Sequence, residues 1–260
     1  MSDDGILRDG LRPHDHVVVT GGGGGFGRAF CKRLARMKAR VSIWDVDASL
    51  GRAVEVEIRD EGGEASFVHV DLAEPASIAR AVDDAQKLYG APYGLLNNAS
   101  IYPRHSLLDM APETFDRALQ INLTAPFRLI QAFGPAMIAQ ERGVIVNIAS
   151  GRALEGAVNG AGYACSKAAL LSLTKTVALE WARSNVRCNA IIPGVSMTAQ
   201  PLANATPEEL IARGRQRIPL GRVGYPEDMA GLAAFLFSAD AAYMTGQAIA
   251  MNGGAVLVPQ

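Results

Sequence analysis

Tyr163 and Lys167 stand four residues apart in Tyr163-Ala-Cys-Ser-Lys167, inside a stretch that reads as helix through Leu171 and Leu173 towards Trp181. That spacing puts both side chains on one helix face, so the Lys167 ammonium can sit near the Tyr163 phenol. A free phenol ionises at ~10, and a neighbouring cation favours phenolate, moving tyrosine towards acid and base work near neutral pH. Ser150 precedes Tyr163 by 13 residues and follows the apolar run Val144 to Ile148. It therefore sits at the carboxyl end of a buried strand, where open α/β sheets place ligands and where a hydroxyl can polarise a carbonyl.

Five consecutive glycines, Gly21 to Gly25, lie between the strand-like His16 to Thr20 and a helical run beginning near Phe26. Glycine permits positive φ, close approach of backbone to a pyrophosphate, and a helix whose first amides face that anion. A flexible linker shares the composition, but a linker has no reason to join a buried strand to an amphipathic helix. Asp45 ends the next strand 18 residues beyond Gly27, the spacing from which a carboxylate accepts adenine-ribose hydroxyls. That carboxylate repels a 2′-phosphate, and neither Gly24 nor Val46 supplies a cation to receive one, so NAD is expected over NADP. Arg28 and Arg40 are the cations able to reverse this choice.

The elements that must position these groups follow from periodicity. Short, nearly continuous apolar runs predict parallel strands near His16–Thr20, Arg40–Asp45, Ser66–Val70, Tyr93–Asn97, Val144–Ile148, Val186–Ile192 and Ala248–Met251. Between them, Phe26, Phe30, Leu34 and Met37 recur at helical steps, as do Phe115, Leu119, Phe127, Ile130, Phe133 and Met137, and each stripe is expected to pack on the sheet. Pro75, Pro112 and Pro226 mark helix starts, because the first turn has no hydrogen bond to lose there. The segment 195–224 breaks the strand–helix rhythm; Thr206-Pro-Glu-Glu209 opens a short helix inside it, and it is expected to be a substrate lid. The predicted fold class is a doubly wound, Rossmann-like α/β sheet of about seven parallel strands in a single domain over 1–260, with a flexible N-terminus over 1–12.

Composition narrows the function. With 49% hydrophobic and 20% charged residues and a net charge of −1, the chain carries no basic footprint for nucleic acid. No apolar run is long enough for a membrane span, and the N-terminus has no secretory pattern, so a cytoplasmic protein is expected. Cys31, Cys165 and Cys188 have neither disulfide nor metal-ligand spacing and are expected to be reduced packing residues, with no metal site.

Taken together, the chain resembles the short-chain dehydrogenases/reductases, in the subgroup with Thr-Gly-x-x-x-Gly-x-Gly and Tyr-x-x-x-Lys, over nearly all of residues 13–255. The resemblance rests on Thr20 to Gly27, Asp71-Leu72, Asn97-Asn98-Ala99, Asn122, Ser150, Tyr163, Lys167, Pro193-Gly194 with Thr198, and Thr245-Gly246-Gln247. It implies that Tyr163 is the acid/base, Ser150 orients the reacting oxygen, Lys167 lowers the Tyr163 pKa and holds the nicotinamide ribose, and Asn122 supports a proton-relaying water chain. It also implies cofactor contacts from Gly21, Gly24, Gly25, Phe26, Gly27, Asp45, Asp71, Leu72, Asn98, Ala99, Ser100, Pro193, Val195 and Thr198, and a homotetramer. Ser100 and Asn252 stand where the family pattern has glycine and aspartate.

Tyr102, Arg104, His105, Arg152, Glu155 and Asn159 follow strand ends, and Arg104 and Arg152 are expected to meet an anionic or polyhydroxylated substrate alongside Ser150 and Tyr163. The expected activity is NAD-dependent interconversion of a secondary alcohol, cyclic or sugar-like, with its ketone or lactone. Two alternatives stay open: NADPH-dependent reduction of a ketone or 3-oxoacyl thioester, and a non-catalytic NAD-binding sensor.

Overall fold

The computed structural model describes residues 9–255. Along the chain run β1 (His16–Thr20), α1 (Gly25–Arg36), β2 (Arg40–Asp45), α2 (Ala48–Asp60), β3 (Glu64–His69), α3 (Pro75–Tyr89), β4 (Gly94–Asn97), α4 (Pro112–Leu119), α5 (Ala125–Ala139) and β5 (Gly143–Ile148). They continue with α6 (Arg152–Glu155), α7 (Ala161–Trp181), β6 (Val186–Pro193), α8 (Ala199–Leu202), α9 (Pro207–Arg217), α10 (Pro226–Phe237) and β7 (Ala248–Met251). All seven strands are parallel in one sheet of order β3-β2-β1-β4-β5-β6-β7, a doubly wound Rossmann-like fold.

Alternation along the strands explains the two cores. Val17, Val19, Val41 and Ile43 pack on one face with Phe30 and Leu34 of α1, Ile58 of α2 and Phe237 of α10. Val18, Trp44, Leu95 and Ile145 point the other way, to Ile78 of α3, Leu129 and Phe133 of α5 and Val177 of α7. Because both faces are covered, the central strands carry no polar alternation, which is why they read as apolar runs.

Four expectations are corrected. The third strand begins at Glu64 and ends at His69, since its register with β2 runs from Arg40↔Glu64 to Asp45↔His69; it is an edge strand, so its polar residues hide it from an apolar scan. Phe127 is exposed, because it lies about 100° around α5 from Pro126, on whose side Leu129, Ile130, Phe133 and Met137 are buried. Cys31 and Cys188 are buried, but Cys165 is exposed. Residues 9–12 are fastened rather than free: Leu11 N–H donates to the Phe237 carbonyl (2.8 Å), and the Arg142 guanidinium grips Asp9 (2.8 Å) and Asp15 (2.9 Å) while lying 4.2 Å from the Tyr93 ring centroid. The rest of that predicted terminus, 1–8, lies outside the described residues.

The irregular segment closes on itself where the sequence broke rhythm. A single bridge joins Ser196 to Gly224, with Met197 N–H donating to the Gly224 carbonyl and Gly224 N–H to the Val195 carbonyl, both at 2.9 Å. Thr206 and Glu209 form the expected reciprocal cap of α9, and Leu210, Ile218 and Val223 give the excursion a small core of its own.

Candidate active site

Winding reverses between β1 and β4, and the crevice at their carboxyl ends receives the glycine loop. Gly21 takes φ +61°, and Gly27 packs so closely that a Cβ there would stand 1.9 Å from the Gly21 carbonyl oxygen. No side chain caps α1, and none of its first-turn residues is acidic, so its opening amides are left to an anion. At Gly24 a Cβ would meet nothing within 4 Å, which leaves the mouth of this cradle open. The residues present therefore fit a dinucleotide pyrophosphate.

Asn98 proves to be a fastener of that loop. Its Nδ2 donates to the carbonyls of Thr20 and Gly21, each at 3.0 Å, while Thr20 Oγ1 accepts from the N–H groups of Asn98 (3.0 Å) and Ala99 (3.1 Å). The two N–H groups of the Asn98 amide thus hold β1 against the end of β4, its carbonyl oxygen keeps its acceptor capacity, and Ser100 beyond it is exposed. Asp45 accepts Gly23 N–H (2.8 Å) on one oxygen and Asp47 N–H (2.9 Å) on the other, leaving lone pairs on both. Arg28 is drawn to Glu57 (2.6 Å) and Arg40 to Glu64 (3.0 Å), so both cations that threatened the NAD reading are engaged by glutamates. Asp71 Oδ1 accepts Ala73 N–H at 2.8 Å, and the Leu72 side chain joins the core. From the far side, Thr198 borders the loop: a Cβ on Gly25 would lie 3.6 Å from Thr198 Cγ2, and Val195 before it is half exposed. Pro193 ends β6.

The reacting groups meet at the carboxyl ends of β4 and β5. Lys167 is buried, its Nζ donating to the Ile148 carbonyl at 2.7 Å and lying 5.7 Å from the Tyr163 ring centroid. Burial pulls the Lys167 pKa down to about 7. Tyr163 is also buried, and burial raises its phenol above the usual value, opposed first by a hydrogen bond with Ser150, then by one with Gln200 and by the Arg152 charge, while Tyr102 adds to the rise. The expected lowering by Lys167 is not what dominates here, because the same burial that brings the pair together penalises both charged forms.

Asn122 is fully buried in a π-helical turn, Gln120–Thr124, between α4 and α5. Its Oδ1 accepts Ile101 N–H (2.9 Å), and its Nδ2 donates to the Ile101 carbonyl (2.9 Å) and to Ser166 Oγ (3.1 Å), which in turn donates to the Tyr163 carbonyl at 2.7 Å. Asn122 therefore ties the segment after β4 to the helix that carries Tyr163. Ser166 is the part of this assembly that motif reading passed over, because it falls on one of the unspecified positions between Tyr163 and Lys167.

Of the expected substrate contacts, Arg152 lies close enough to influence Tyr163 and reaches Glu155 at 3.5 Å. Arg104 is exposed, its guanidinium 5.8 Å from the Tyr102 ring, and Tyr102 stacks on Tyr163. Among the described residues no cluster of three His, Cys, Asp or Glu is placed to hold a metal, and no helix is long and apolar enough to cross a membrane.

A family model described as enoyl-(acyl carrier protein) reductase matches residues 22–256. The chain belongs to the short-chain dehydrogenase/reductase family. Its relatives in this family include L-rhamnose 1-dehydrogenase (NAD(P)(+)) of Azotobacter vinelandii, 37% identical over 92% of this chain and 95% of the relative. 2-(S)-hydroxypropyl-CoM dehydrogenase 3 of Xanthobacter autotrophicus is 34% identical over the same shares of the two chains. Among solved structures, a Beutenbergia cavernae chain described as an NAD(P)-dependent gluconate 5-dehydrogenase, with NADP bound at low occupancy, superposes at TM-score 0.89. It is 38% identical, with 95% of this chain and 98% of that one covered. The protein is an oxidoreductase of this family, acting on CH–OH groups with a nicotinamide dinucleotide.

Proposed function

We propose that the protein is an NAD-dependent dehydrogenase of a secondary alcohol, a cyclic or sugar-type hydroxyl including anionic polyols, with Tyr163 as acid/base. The observation that carries the reading is the buried Tyr163 ring beside the buried Lys167 on the next turn of α7, with Ser150 close enough to the phenol to favour its ionised form. Gly21, Gly24, Gly25, Phe26 and Gly27 would hold the pyrophosphate, Asp45 the adenine ribose, Asp71 and Leu72 the adenine surroundings, and Ala99, Pro193, Val195 and Thr198 the nicotinamide end. When bound, NAD supplies a hydride acceptor.

The chain's own groups do the rest. Ser150 Oγ would hold the reacting oxygen, and Tyr163, as the phenolate, would take the hydroxyl proton as the carbonyl forms. Lys167 uses one N–H on the Ile148 carbonyl and keeps two for ribose hydroxyls. Both N–H groups of Asn122 are occupied, so its part in proton relay runs through its remaining acceptor capacity. Arg152 and Arg104 would favour a substrate with acidic or multiple hydroxyl groups. The gluconate and rhamnose names of relatives are consistent with such substrates. Segment 195–224 acts as the lid. A homotetramer belongs to the same reading, supported by exposed Phe127 on α5 and Leu179 on α7, and so does a cytoplasmic location, supported by three unpaired cysteines.

The test is a panel of D-gluconate, L-rhamnose, cyclohexanol, vicinal diols and 2- and 3-hydroxy acids with each dinucleotide, followed by NADH or NADPH absorbance. Oxidation with NAD and tighter binding of NAD than NADP are expected, and Tyr163→Phe should lower kcat by about 10²–10⁴-fold while retaining NAD. Turnover only of ketones or 3-oxoacyl thioesters with NADPH would overturn the reading.

A further inference from the structure

The Tyr102 and Tyr163 rings lie almost parallel, 20° apart with centroids 4.3 Å from each other, so one face of the acid/base ring is covered by a second tyrosine. Four features around Tyr102 hold it there. Asn122 clamps both backbone groups of its neighbour Ile101, and through Ser166 the same amide reaches the carbonyl of Tyr163, so one buried side chain sets both ends of the stack. Gly160, the residue before α7, leaves room for the ring: a Cβ there would come 2.4 Å from Tyr102 Cε2 and 2.8 Å from its hydroxyl. A hydrogen bond of 3.0 Å from His105 N–H to the Asn159 carbonyl pins the following loop beside that glycine. On the outer side Arg104 lies 5.8 Å from the Tyr102 ring centroid, within cation–π range.

A stacked aromatic pair has a preferred geometry and resists rotation about the Tyr163 side chain, which fixes where the phenol oxygen points. Misplacing a reacting group by about 1 Å costs on the order of 10²-fold in rate, so a ring that fixes that position bears on kcat. The same ring, with Arg104 beside it, covers Tyr163 on the side of the segment that follows β4, while Ser150 and Gln200 are near enough to the phenol to favour its ionised form.

We propose that Tyr102 is a positioning residue for Tyr163 and the wall that limits substrate bulk on the β4 side of the reacting carbon. The inference rests on Tyr163 being the acid/base. Kinetics of Tyr102→Ala and Tyr102→Phe, read on the fastest alcohol of the panel, test the first half. Tyr102→Ala should lower kcat by about 10–100-fold with NAD affinity unchanged, and Tyr102→Phe should restore most of that loss, because the ring and not the hydroxyl makes the stack. For the second half, cyclohexanol and 4-tert-butylcyclohexanol serve as slim and bulky probes. The bulky-to-slim ratio of kcat/KM should rise about tenfold in Tyr102→Ala.

Wild-type kcat in Tyr102→Ala, or an equal loss in Tyr102→Phe, overturns the positioning role. An unchanged probe ratio overturns the wall. Where Tyr102→Ala does not fold, Gly160→Ala displaces the same ring and should lower kcat in the same direction; no change there counts against the proposal. A Tyr163→Phe variant that keeps its turnover removes the acid/base reading itself, whereas a dead Tyr163→Phe beside an unaltered Tyr102→Ala removes only this inference.

Discussion

The two ends of the active site are built from different materials. The end proposed for the dinucleotide is backbone: glycines at van der Waals limits, helix amides, and the Thr20 and Gly21 carbonyls held by Asn98. The alcohol end is side chain: Tyr163, Lys167, Ser150, Tyr102 and Gln200, brought in from β5, α7, the segment after β4 and the lid. Backbone construction demands one residue type at each position and tolerates little else. Side-chain construction leaves room for exchange, particularly where Arg104 and Arg152 stand in solvent. One scaffold can thus keep its cofactor while its substrate changes.

The sharpest way to break that contrast is a single methyl group in the glycine loop. Gly27→Ala forces the loop away from the Gly21 carbonyl, since 1.9 Å is no contact at all. NAD affinity measured by calorimetry should fall by at least about 100-fold, with a loss of stability of about 1–3 kcal/mol. Gly24→Ala, whose Cβ meets no protein atom within 4 Å, should keep its stability within about 0.5 kcal/mol of wild type, as a surface change does. Equal losses in both variants would show that the cradle is not set by packing.

Acid should weaken the tightly packed half of the sheet. His16 is buried at the start of β1, bonded to the Gly90 carbonyl and Ser42, and burial lowers its pKa to about 4 from 6.5. The folded protein therefore resists protonation that the unfolded chain accepts. This histidine costs nothing above pH 6.5, and stability falls as pH drops from 6.5 to 4, by up to about 3 kcal/mol. Chemical denaturation of His16→Asn beside wild type across that window checks it; parallel curves would remove His16 as the cause.

The smallest effect is expected at the side-chain end. Arg152→Ala should raise KM for an anionic panel substrate such as gluconate by about tenfold, the worth of one charge-assisted hydrogen bond, and leave NAD affinity alone. Unchanged KM would place Arg152 with its Glu155 partner as a solvated pair.

How much of this could be read beforehand differs residue by residue. The strands of the sheet interior, the glycine loop between β1 and α1 and the limits of the irregular segment near 195 and 224 were legible because burial on both faces, a run of residues without side chains and a break in periodicity each leave a local mark. β3 was displaced because an edge strand needs no apolar pattern. Asn98 was read only as a cofactor residue; that its amide also fastens the Thr20 and Gly21 carbonyls is revealed only by the approach of β1 to β4. The Tyr163 phenol was expected to be lowered by Lys167, an argument from proximity alone. Burial outweighs it, and burial is a property of everything packed around α7.

By itself the sequence determined the parallel α/β architecture and the family, and it placed the glycine loop and the proposed Ser150, Tyr163 and Lys167 trio, because each depends on residue type at short spacing. Tertiary structure alone decided which groups touch: Asn122 reaching both Ile101 and Ser166, Tyr102 lying on Tyr163, and Gln200 arriving from the lid. Such contacts join segments tens of residues apart, and no local propensity encodes a distance that only the assembled sheet and its helices create.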